Sequence, residues 1–149
     1  MLDLRNNEGG ALVDAVHTAG LFINEGPIVQ VNGRKPKIRN ILKDKNPAIS
    51  YSGPLVILIN HYSASASEIL AAALQDYRRA VIVGAPSFGK GTVQTFIDLD
   101  RINPAKTAAF KPLGSLKLTI QKFYRINGGS TQHKGVEPDS VRAIIATTE

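Results

Sequence analysis

Hydrophobic positions along this chain fall into two rhythms. From Ala11 to Ile23, the residues Leu12, Ala15, Val16, Ala19, Phe22 and Ile23 recur at three- and four-residue spacing, which predicts a helix. Ala66–Arg78 carries the same period and predicts a second one. Before it, Leu55-Val56-Ile57-Leu58-Ile59 is a continuous apolar run, the pattern of a strand covered on both faces. Val81-Ile82-Val83, closed by Gly84, is another. Strand, helix, strand makes a βαβ unit, so those two strands are expected to lie parallel.

Elsewhere the rhythm is that of paired strands. Ile28–Val31 and Lys37–Ile41 read as strands, with Asn32-Gly33 as a tight hairpin turn between them. Val93–Leu99 and Leu116–Phe123 are two more, and in the latter Leu116, Leu118 and Ile120 alternate with Lys117, Thr119 and Gln121. Arg101–Pro112 reads as a loop, Asn127-Gly128-Gly129-Ser130 as a turn, and a last short strand is expected near Val141–Ile145. At the start, Leu2–Arg5 reads as a strand end running into Asn6-Asn7-Glu8-Gly9-Gly10, where paired glycines let backbone amides turn towards a ligand. That strand is already under way at Met1, so residues 1–149 are expected to form a single partial domain of a longer protein.

Composition narrows the classes. The 149 residues suffice for a real core, and 43% hydrophobic with 20% charged content is globular. The longest apolar runs, Pro54–Ile59 and Ile69–Leu74, fall far short of the ~18 residues of a membrane span. With no cysteine, disulfides, thiolate zinc sites and cysteine nucleophiles are excluded. Much of the +6 net charge sits in Arg34, Lys35, Lys37, Arg39, Lys43 and Lys45. No aromatic residue interleaves there to stack bases, so a solvated loop is the reading and no nucleic-acid partner is expected.

Candidate chemistry gathers in Ser63-Ala64-Ser65-Ala66-Ser67-Glu68-Ile69 and in Phe88-Gly89-Lys90-Gly91-Thr92-Val93-Gln94. Glu68 follows Ser65 at capping-box spacing, so helix capping accounts for one serine. It does not account for serines alternating with alanines, which is what a nucleophile needing close substrate approach would want. A helix N-terminus also places free amides and the positive dipole end beside that hydroxyl. Ala66 would give one N–H to an oxyanion, and Gly9 or Gly10 the second. Lys90, fenced by glycines, is the candidate base of a Ser-Lys pair. A lysine ordinarily keeps its proton up to about pH 10.4, so burial beside Phe88 is the expected means of freeing it. Gln94 would share a side with Lys90 in a strand but about 13 Å away, so it orients the amine only if the chain bends at Gly91.

Other polar residues read as structural. Asp76 falls on the face of Ser65 but about 16 Å along the helix, which predicts pairing with Arg78, Arg79 or a neighbouring loop. His61 has no acid nearby to orient it, and with His17 and His133 it gives no paired zinc-ligand spacing. Gly84–Lys90 matches the first seven positions of a P-loop. Gly91 then stands where Ser or Thr should bind magnesium, and the β-branched Thr92–Ile97 offers phosphates no helix N-terminus.

Four motifs in register carry a resemblance. They are Leu2-Asp3-Leu4-Arg5-Asn6-Asn7-x-Gly9-Gly10, Ser63–Ile69, Gly84-x-Pro86-x-Phe88-Gly89-Lys90-Gly91-x-Val93-Gln94 and Gly135-Val136-x-Pro138-Asp139. Together they closely resemble the carboxy-terminal processing peptidases. Thr119–Arg125 and Asn127–Gln132 look most like the bacterial tail-specific protease branch. Glu8 departs from the pattern, standing where the family more often has a small residue or proline. The resemblance implies an α/β fold, a crotonase/ClpP-like core of ββα units, without the PDZ and flanking helical domains that family members also carry. It implies Ser65 as nucleophile, Lys90 as general base, Gln94 positioning the lysine, and Gly9, Gly10 and Ala66 in the oxyanion region. No metal, nucleotide or other cofactor is expected. The partners implied are protein or peptide substrates with apolar C-termini, in the periplasm or cell envelope, and a core without the recognition segments is expected to cleave weakly or not at all. The alternative is a non-catalytic binding module on the same fold, as in retinoid-binding relatives, against which the intact set of Ser65, Lys90 and Gln94 argues.

Overall fold

The computed structural model describes residues 1–33, 39–102 and 108–141. Its strands and helices are β1 (Leu2–Asp3), α1 (Leu12–Gly20), β2 (Gly26–Gly33), β3 (Arg39–Asp44), β4 (Val56–Ile59), α2 (Ala66–Asp76), β5 (Val81–Gly84), β6 (Thr92–Asp98) and β7 (Ser115–Tyr124). Short 3-10 turns at Leu99–Arg101 and Ala108–Phe110 punctuate the stretch between β6 and β7.

Helix α2 is the hub. Every residue from Ala66 to Leu74 is buried, so it is covered on all sides rather than along one stripe. Alanines at 71, 72 and 73 let neighbouring elements approach its backbone closely. The expected βαβ unit forms around it: β4 and β5 pair in parallel, Ile57 opposite Ile82, and β1 joins the other edge of β4. A second, antiparallel sheet has the order β3-β2-β7-β6. Ile28 and Val29 of β2, Ile57, Ile82, Leu74 and Phe123 make the common core between helices and sheets.

Three features differ from the sequence reading. Asn32-Gly33 is not the hairpin turn: both residues belong to β2, with Asn32 opposite Arg39 on one side and Lys122 on the other. Pairing on both edges outweighs the turn preference of that dipeptide; the reversal itself falls at 34–38, outside the described residues. Helix α2 stops at Asp76 rather than Arg78. Arg78 takes the left-handed conformation (φ 53°), with its N–H donating to the Gln75 carbonyl (2.8 Å) and that of Arg79 to the Leu74 carbonyl (2.8 Å). This is a Schellman ending built without glycine. The strand expected near Val141–Ile145 lies almost wholly outside the described residues, and Ser140 makes a single parallel bridge to Val83.

Asp76 is structural, and its partner is the neighbouring loop. The Arg125 guanidinium donates to it at 2.6 and 3.1 Å, Asn127 Nδ2 donates at 3.0 Å, and Arg125 also reaches Gln75 Oε1 at 2.9 Å. The pair clamps the end of α2 to the turn after β7, with the aspartate nearly buried. Removing one partner strands the other charge. Arg125→Ala is therefore expected to lower unfolding free energy by about 3 kcal/mol, measured by urea denaturation.

Candidate active site

The turn from β4 into α2 carries Ser65 in an unusual conformation, φ 57° and ψ −113°. For a residue with a side chain this costs about 1–3 kcal/mol and persists only where surroundings over-determine it. A sharp, strained strand-to-helix turn of this kind is how a nucleophilic serine is presented to substrate. Ser63 anchors the turn: its hydroxyl donates to the Leu4 carbonyl at 2.7 Å and accepts from the Asn60 N–H at 2.9 Å, fully buried. The capping-box spacing is also used, since the Glu68 carboxylate accepts from the Ser65 N–H at 2.7 Å.

Residues 6–10 dock against this turn. Asn6 and Asn60 exchange two hydrogen bonds, at 3.0 and 2.9 Å, and the Ala64 N–H donates to the Asn7 carbonyl at 3.0 Å. Gly9 (φ 101°) packs directly on the serine. A Cβ there would lie 2.6 Å from the Ala64 carbonyl oxygen, 2.8 Å from the Ala66 nitrogen and 2.9 Å from Ser65 Cβ. Its N–H donates to Asn7 Oδ1 at 2.9 Å. Among the described residues no acceptor engages the N–H groups of Gly10 or Ala66. Of the two candidate glycines, Gly10 is thus the one with a free amide.

The lysine loop is tied from both sides. The Gly89 and Lys90 N–H groups donate to the Glu68 carboxylate at 2.7 and 2.9 Å, and Gly91 donates to Gln132 Oε1 at 2.7 Å. His133 N–H donates to the Gly89 carbonyl (2.8 Å) and Val136 N–H to Ser87 Oγ (2.7 Å). Asp139 accepts from the Ile82 N–H and from Gln75, each at 2.8 Å, so the motif at 135–139 braces this loop against β5 and α2. The P-loop rival ends here. Its amides already serve a carboxylate, and β6 rather than a helix follows Lys90.

One cavity of about 250 Å³ brings Ser65, Ala66, Gly10, Lys90 and Gln94 together, with Gly9 just behind Ser65. Leu12, Ile69, Val93, Phe96 and Phe123 give it an apolar wall, and Lys117 also lines it. Gln94 arrives by an irregularity in β6 at Val93/Gln94, and its amide approaches Thr119 Oγ1 at 3.5 Å rather than Lys90. Phe88 does not shield the lysine as expected: it is 63% exposed and stands outside the cavity, because its backbone is turned to donate to the Ser63 carbonyl. The histidines at 17, 61 and 133 are exposed and none lines the cavity. Sequence reasoning missed the bonding role of Glu68, although its spacing from Ser65 was a signal. It missed the apolar wall because Leu12, Ile69 and Phe123 come from three separate elements.

Comparison with known proteins identifies the family of this chain. The model of peptidase family S41 matches residues 1–142. The chain is 54% identical over 139 residues to a tail-specific protease of Haemophilus influenzae, covering 93% of this chain and 19% of that protein. It is 43% identical over 141 residues to a carboxy-terminal-processing protease of Bartonella bacilliformis, covering 95% and 30%. The chain therefore spans less than a third of these relatives. Among solved structures, a photosystem II D1 C-terminal processing protease superposes with a TM-score of 0.79 at 33% identity, over 95% of this chain and 33% of that one. The mixed sheets and helices match the fold of this group, and the chain belongs to peptidase family S41.

Proposed function

We propose that this chain is the catalytic core of a serine endopeptidase working through an acyl-enzyme on Ser65, with Lys90 as general base. The observation that carries the reading is the strained Ser65 sharing one cavity with Lys90 and two unengaged amides. Lys90 in its neutral form takes the hydroxyl proton as Ser65 Oγ attacks the scissile carbonyl carbon. The Ala66 and Gly10 N–H groups donate to the oxyanion that forms. Collapse breaks the C–N bond, and Lys90 returns the proton to the leaving amine. Water then attacks the ester by the same relay and restores Ser65. Gln94, in the same cavity, holds the amine in line once substrate is bound.

The apolar wall suits an apolar side chain beside the scissile bond. With relatives named for tail-specific and carboxy-terminal processing, this favours protein substrates cut near apolar C-terminal tails, and the whole protein is proposed to meet them in the periplasm or cell envelope. The test is cleavage by the whole protein of one substrate carrying either an apolar or a charged tail. The apolar tail is expected to be cut at least about tenfold faster, and Ser65→Ala to cut neither. An uncut apolar tail, or cleavage by Ser65→Ala, would overturn the proposal.

A further inference from the structure

Glu68 is a fully buried carboxylate to which the relay above gives no role. It accepts four hydrogen bonds: from Ser87 Oγ (2.6 Å) and the Gly89 N–H (2.7 Å) on Oε1, and from the Ser65 N–H (2.7 Å) and the Lys90 N–H (2.9 Å) on Oε2. No ion pair neutralises it among the described residues. Burying an unpaired carboxylate is costly, and a well-packed apolar residue is often the more stable solution. The helix N-terminus and four donors offset the cost but do not explain why a charge stands there. Its second oxygen does: the amides of Ser65 and Lys90 share it, so the two nitrogens are held within two hydrogen-bond lengths of each other.

We infer that Glu68 is a positioning residue that couples the serine's turn to the lysine's loop and so sets the spacing on which proton transfer depends. The inference rests on the Ser-Lys reading. Glu68 also engages the Ser65 N–H, leaving those of Ala66 and Gly10 for the oxyanion. Four donors need an acceptor-only group, so glutamine, which turns an NH₂ towards two of them, fills the volume but breaks the coupling.

The test is steady-state kinetics of the whole protein, active sites titrated, well below its melting temperature. Glu68→Gln is expected to lower kcat about 30- to 300-fold with KM within about twofold, the pattern of a lost transition-state alignment. Should that variant not fold, Ser87→Ala removes one donor and leaves the carboxylate in place; it is expected to lower kcat about three- to tenfold, again at constant KM. Unchanged kcat in the folded variant, or a change confined to KM, would overturn the inference while leaving the Ser-Lys reading intact. Full cleavage by a parallel Ser65→Ala control would overturn both.

Discussion

Gly9→Ala is expected to lower turnover of the whole protein about 10²- to 10³-fold, the usual effect of disabling one oxyanion donor. The added Cβ would meet the Ala64 carbonyl oxygen, the Ala66 nitrogen and Ser65 Cβ, all within 3 Å. None of these atoms can swing aside as a flexible side chain would. Either residues 6–10 or the start of α2 must move, and each movement displaces an amide proposed to hold the oxyanion. At φ 101° the alanine backbone itself is strained by about 1–3 kcal/mol, so melting temperature should fall as well. Gly10→Ala is the control. A Cβ there meets nothing within 4 Å, so stability should stay within about 0.5 kcal/mol of wild type. Equal turnover in Gly9→Ala and wild type would remove the 6–10 loop from the site.

Lys90→Ala carries the largest expected loss, about 10³- to 10⁴-fold in kcat, because positioned proton transfer contributes on that scale. Its fold should be unaffected. The lysine side chain makes no hydrogen bond among the described residues, whereas the loop that carries it is held by backbone groups that alanine retains. Substrate affinity, set mainly by the apolar wall, should change little. A loss confined to KM would instead assign Lys90 to binding.

Much of this arrangement was legible in the residues. The βαβ unit follows from two apolar runs flanking a strongly periodic helix, and local pattern suffices there because β4, α2 and β5 are adjacent in sequence and in space. Ser65 and Lys90 were picked out by their small neighbours. What was not legible depends on contacts between distant segments. The dipeptide Asn32-Gly33 has turn chemistry, and pairing with β3 on one edge and with β7, some 90 residues later, on the other makes it strand. Nothing local announces the positive φ of Ser65, since the strain is held by Leu4, Asn7 and Asn60. Gly9 and Gly10 are equivalent as letters and differ only in what lies behind them. Helix arithmetic keeps Asp76 away from Ser65, while only the fold brings Arg125 to it as a partner.

Whether Lys90 activates Ser65 is measured most directly by the rate at which a fluorophosphonate phosphonylates the whole protein, with loss of fluoride, read by mass spectrometry of its peptides. The prediction is a single adduct on the peptide containing Ser65, forming about 10³-fold or more slowly in Lys90→Ala. An adduct on another residue, or equal labelling rates in the two proteins, would contradict it.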